Sequence, residues 1–96
     1  MLKHIQIAEA LNTVLEINED STPRVAFFGY AGHVGTIRIS IYPQGFSEDP
    51  EIYYVFDQYG TTGESDCVIY EHLKKTDRIL YNNFDEMIGA VRTVGI

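Results

Sequence analysis

The chain has one cysteine, no tryptophan, three prolines and only seven Lys or Arg among its 96 residues. A lone Cys67 excludes an intrachain disulfide framework and a cysteine-rich zinc site, and it points to a reducing, cytoplasmic setting. Fourteen Asp and Glu outnumber the basic residues and give a formal net charge of −7. Phosphate neutralisation has little to draw on, so direct nucleic-acid binding and docking to an anionic membrane are both disfavoured. No apolar run approaches the ~18 residues of a membrane span. The opening Met1-Leu2-Lys3-His4-Ile5-Gln6 also lacks the unbroken apolar segment of an export signal.

What is present is a globular composition, 45% hydrophobic and 22% charged. That is too apolar for a chain without a core, and the length suits one domain, 1–96, with a single hydrophobic layer between two layers of secondary structure. From Lys3 to Ile17, apolar Ile7, Ala10, Leu11, Val14 and Leu15 recur on one side at about 100° per residue, with Gln6, Glu9, Thr13 and Glu16 opposite. The spacing predicts an amphipathic helix that ends in the polar stretch before Pro23.

Three β-prone runs follow, Arg24 to Ala31, Thr36 to Tyr42 and Ile52 to Tyr59. They are expected to form an antiparallel meander. Alternation in the second run places Ile37, Ile39 and Ile41 on one face, where the helix should lie. A tight turn at Gly32-His33-Val34-Gly35 pairs Ala31 with Thr36, and pairing Arg38 with Asp57 sets Tyr42 beside Tyr53. After a loop over Gly60–Ser65, a helix capped by Ser65 or Asp66 is expected to run toward Lys75, carrying Ile69 and Leu73 on one face. The segment Cys67-Val68-Ile69-Tyr70 is also β-prone. Asn83 followed by Glu86 resembles a capping box and starts a C-terminal helix, Phe84 to about Arg92. The expected fold is α+β, an N-terminal helix, a three-stranded antiparallel meander and then one or two C-terminal helices (αβββαα), in a two-layer sandwich.

The motif-like residues read better as structure than as chemistry. Gly29, Gly32 and Gly35 lead from one strand into another, whereas a dinucleotide fingerprint must open a helix; they suit a hairpin and its bulge. Cys67 and His72, five apart on a helix, would point about 140° from each other, poor geometry for a nucleophile and its base. His4, His33 and His72 share no metal-ligand spacing, and the acidic clusters lack the alternating carboxylates and central glycine of a calcium loop. No catalytic residue, metal or cofactor is assigned, and enzymatic activity is not expected.

Two surfaces stand out. The sheet face away from the isoleucines carries Val25, Phe27, Tyr42, Tyr53 and Val55, too much apolar area to leave bare on a small monomer. Either the C-terminal elements wrap over it, or it is a homodimer or partner surface anchored by tyrosines. Acidic Glu48, Asp49, Glu51 and Asp57 gather near loops and element ends, where they secure solubility or complement a basic groove on another protein. The expected element order resembles that of some small acidic phage-encoded anti-CRISPR proteins, a resemblance of topology without a shared motif. It implies a cytoplasmic protein-binding module, an inhibitor or nucleic-acid mimic; the alternative is a structural homo-oligomeric assembly component using the aromatic face.

Overall fold

His4–Glu19 forms helix α1 in the structure, a computed structural model that describes residues 3–59, 64–72 and 74–95. The loop expected over Gly60–Gly63 and the expected facial role of Leu73 lie outside the described residues. Helix α1 continues two residues beyond Ile17, and its buried side differs from the expected one. Ala10, Thr13, Val14 and Ile17 are buried, while Leu11 and Leu15 are exposed. The apolar arc is wider than the sheet can cover. Thr13 is admitted because its hydroxyl donates to the Glu9 carbonyl at 2.8 Å, leaving only its methyl to pack.

Five strands follow, β1 Val25–Ala31, β2 Thr36–Tyr42, β3 Ile52–Gln58, β4 Ser65–Glu71 and β5 Lys74–Tyr81, and helix α2, Phe84–Thr93, closes the chain. The strands form one antiparallel sheet in sequence order. Within its first three strands Ala31 pairs with Thr36 and Arg38 with Asp57. Gly35 closes the first hairpin at φ 65°, in the left-handed region that glycine tolerates.

The architecture is therefore αβββββα, and the expected three-stranded meander followed by one or two C-terminal helices is corrected: β4 and β5 extend the sheet to five strands, and a single helix follows them. With that, the element order behind the anti-CRISPR resemblance is also lost. The physical reason lies in β4. Cys67 is in the core and Ile69 packs against it, while Val68 and Tyr70 line the other face, so both faces are apolar and the period-2 signal vanishes. The expected helix caps, Ser65 and Asp66, are instead buried at the start of that strand. The turn into β5 places His72 at φ 51°. Strand β5 is an exposed edge, and half its residues, Lys74, Lys75, Asp77 and Arg78, are charged.

Both helices pack on the isoleucine face, α1 against β1 and β2, α2 against β3, β4 and β5, and each against the other. One core joins them, built from Ala10, Val14 and Ile17, from Ile37, Ile39, Ile41 and Phe56, and from Phe84, Met87, Ile88 and Val91. Asn83 caps α2, its side-chain oxygen accepting from the Glu86 N–H at 3.0 Å. The Glu86 carboxylate accepts in turn from the Asn82 N–H at 3.0 Å. Replacing Asn83 with Ala is expected to lower stability by about 1 kcal/mol in urea unfolding, the usual worth of such a cap.

Candidate functional site

Because both helices occupy one side of the sheet, no element among the described residues covers its other face. The expectation that C-terminal elements wrap over the aromatic side is corrected here, since α2 buries Phe84, Met87, Ile88 and Val91 in the isoleucine core instead. Across the open face runs a band of rings. Tyr42 of β2 stacks on Tyr53 of β3 at 5.2 Å between centroids, and Tyr53 stacks on Tyr70 of β4 at 4.7 Å. Phe27 of β1 meets Tyr42 edge-on at 5.7 Å. Phe46, from the loop between β2 and β3, packs edge-on against both, at 5.7 Å from Phe27 and 5.4 Å from Tyr42. Cross-strand registry produces the band, because residues directly opposite in neighbouring strands share a face. Phe46 remains 63% exposed, and Phe27 is also exposed.

Further along the same face the sheet carries charge. Arg38 donates to both carboxylate oxygens of Asp57, at 2.7 and 3.1 Å, and Arg78 donates from Nε to Asp66 at 2.7 Å. Asp57 and Asp66 are direct partners in β3 and β4. Two adjacent carboxylates, both buried, are thus flanked by guanidinium groups on the strands to either side. Arg38 grips Asp57 through both oxygens, whereas Arg78 reaches only Oδ2 of Asp66 and leaves the buried Oδ1 without a hydrogen-bond partner among the described residues. Each arginine is still committed to its own acid, which leaves little cationic charge for an outside phosphate. The Arg38 guanidinium is held above its ordinary value by the Asp57 hydrogen bond and charge. Burial is the main cause raising the Tyr53 phenol, with Tyr70 and Tyr42 adding to it; burial likewise raises Tyr59, with Asp66 and Asp57 beside it. Both phenols therefore stay neutral donors at neutral pH.

Of the residues singled out in the sequence, Tyr42 and Tyr53 do come together. Glu48, Asp49 and Glu51 are exposed on the β2–β3 loop, the same loop that delivers Phe46 to the rings. Asp57 does not belong with them. It is buried and neutralised by Arg38, so it adds nothing to an acidic rim. Tyr70 and Phe46 escaped the sequence reading, Tyr70 because its segment was expected to be helical and Phe46 because a loop residue has no periodicity. Pairing Tyr53 across a fourth strand is the signal that finds Tyr70.

The remaining candidate chemistry is dispersed. Cys67 is buried in the core, and burial pushes its thiol up to about 12, so it is no nucleophile at neutral pH. His72 lies on the order of 15 Å further along β4, beyond hydrogen-bond reach. Among the described residues no group of three or more His, Cys, Asp or Glu is placed to hold a metal, and no helix is long and apolar enough to cross a membrane. No family model, no curated protein and no solved structure matches the chain.

Proposed function

We propose that the chain is a protein-binding module whose docking surface is the open sheet face, with a partner that is apolar at its centre and basic at its rim. The observation that carries this reading is the uncovered band Phe27–Phe46–Tyr42–Tyr53–Tyr70 beside exposed Glu48, Asp49 and Glu51. Tyrosine anchors interfaces with a broad apolar body and one polar tip, and ordered stacking means little rotamer entropy remains to be lost on binding. A stacked aromatic sheet can also receive nucleic-acid bases. Here the net charge of −7 and the pairing of Arg38 and Arg78 with buried acids oppose phosphate, which favours a protein. A basic groove of the kind that otherwise holds nucleic acid would suit the acidic rim, and occupying it would inhibit its owner.

The test is affinity capture from host lysate with matched variants. Tyr53→Ala is expected to weaken retention roughly 30-fold at any salt, as a central aromatic anchor does. Changing Glu48, Asp49 and Glu51 to their amides should slow association several-fold at low salt and have little effect near ~0.5 M, where charges are screened. Partner retention indifferent to both sets of changes removes the reading.

A further inference from the structure

The two edges of the sheet are protected differently. Strand β5 carries four charged residues, whereas β1, VAFFGYA, carries no acidic or basic residue at all. A bare, apolar edge is a template for another strand. The Asn18 side chain of α1 covers one end of it: its Oδ1 accepts from the Ala26 N–H at 2.8 Å and its Nδ2 donates to the Ala26 carbonyl at 3.0 Å. The carboxamide thereby takes the place of a neighbouring strand and shows that Ala26 turns its N–H and C=O outward. By the two-residue period of a strand, Phe28 and Tyr30 turn theirs outward as well. Among the described residues no hydrogen bond occupies these four groups beyond β1's edge. Gly29 between them is exposed.

Helix α1 extends the same flank. Asn18 marks which of its sides overhangs the β1 edge. At about 100° per residue Leu11 lies roughly 20° and Leu15 roughly 60° around the helix from Asn18. Glu9 lies about 180° away by the same count, and accordingly faces α2, where Arg92 approaches it to 3.7 Å. Leu11 is 42% and Leu15 49% exposed, an apolar pair one helical turn apart on the outer flank. Nothing among the described residues packs on that flank from above the edge.

We propose that this flank binds a second copy of the chain: β1 pairs antiparallel with its counterpart about a two-fold axis at Gly29, and the two α1 helices pack together through Leu11 and Leu15. Three features select a second copy over an unrelated strand. Centring on Gly29 sets Phe28 opposite the partner's Tyr30 and Tyr30 opposite the partner's Phe28, so all four free groups on each chain are used in four hydrogen bonds. Any other register puts one of them against Ala26, already taken by Asn18, or against the turn beyond Ala31. The helices also suit a second copy. Each α1 packs chiefly on β1, so pairing two β1 strands brings the exposed Leu11 and Leu15 of both copies to the same seam. The charge distribution agrees, since a chain of net −7 can meet its own copy only where acids are sparse. The result is a closed pair with one ten-stranded sheet, both helices of each copy on one side and both aromatic bands on the other.

Sedimentation equilibrium of the intact chain at micromolar concentration is expected to give twice the chain mass. Leu15→Glu, on an exposed position, should weaken the pair at least roughly tenfold while leaving the far-ultraviolet circular dichroism unchanged. A Gly29→Cys variant tests the axis itself. A Cβ at Gly29 meets nothing closer than the Arg38 carbonyl at 3.9 Å, so a side chain fits there. Glycines facing each other without hydrogen bonds place Cα atoms about 4.5 Å apart, within disulfide range, so this variant should form a covalent dimer on mild oxidation. Gly89→Cys, on the exposed side of α2 with open space around it, should not. A monomer at these concentrations, a series of higher oligomers, or a dimer in which Gly29→Cys fails to cross-link each overturns the proposal.

Discussion

Arg24→Ala is expected to lower the unfolding free energy by about 3 kcal/mol, which in a chain of this size moves the melting temperature down by roughly 12–24 °C. Arg24 is buried at the entry to β1, yet its partners lie at the ends of both helices. One terminal nitrogen, Nη1, donates to the carbonyls of Arg92 and Val94, both at 3.0 Å, and Nη2 pairs with Asp20 at 3.3 Å. The carbonyls belong to the C-terminal end of α2, where unsatisfied oxygens and the helix dipole favour a cation. Asp20 is the residue that ends α1. One guanidinium thus ties the exits of both helices to the start of the sheet. Alanine removes all three bonds together with the packed stem and leaves the carbonyls short of donors. Arg24→Lys keeps the charge but has no planar fork to span two partners, so about half the loss should remain. Urea unfolding of the three proteins checks this. A loss below 1 kcal/mol for the alanine variant means that water replaces the clamp.

The limits of the sequence pattern follow from the same packing. Strand β2 was legible because one face is wholly buried and the other is not: Ile37, Ile39 and Ile41 alternate with Arg38, Ser40 and Tyr42. That contrast also set the partners Arg38 and Asp57. Strand β4 was not legible, because the open face is itself apolar along Val68 and Tyr70, and a strand with two apolar faces looks like any buried segment. The signal that was absent in β4 is the same property that makes the face a binding surface. Helix α1 shows the reverse difficulty. Its position was plain, but its buried arc was displaced from the expected one by a turn of the helix on the sheet, and Leu11 and Leu15 came out on the surface. An apolar stripe says that a helix is amphipathic; which part of a wide stripe is covered depends on the neighbours, here α2 and Arg92 on the Glu9 side. The aromatic half of the candidate site, Tyr42 with Tyr53, was visible, and so was Arg38 opposite Asp57; the burial of that carboxylate was not, because it depends on β4, which sets Asp66 directly beside it.

Above pH ~9 the wild-type chain is expected to lose stability faster than a Cys67→Ala variant. Cys67 sits in the core between the sheet and α2, and burial pushes its thiol from an ordinary value near 9 up to about 12, with Asp66, Asp57 and Asp77 adding to the shift. The folded value lies above the unfolded one. The neutral thiol is therefore the form that folding favours, its contribution is complete below pH ~9, and it is lost as pH rises through about 12. Three units of difference correspond to about 4 kcal/mol at the top of that window, a large part of the stability of a small domain. Tyr53, Tyr59 and Tyr81 are also raised, chiefly by burial, and act with the same sign in both proteins. The difference between wild type and variant isolates the thiol. At pH 7 Cys67→Ala should be less stable by about 1–2 kcal/mol, since removing the sulfur leaves a small void against Phe56 and the isoleucines. Ionisation then erodes the wild type's advantage by up to about 1.4 kcal/mol per pH unit, so the order of stabilities should invert near pH 10–11. Urea unfolding at pH 7, 9, 10 and 11 measures the crossing. A difference that stays constant over that range would show that the thiol reaches water without unfolding, and that the sheet and α2 part more readily than their packing around Cys67 implies.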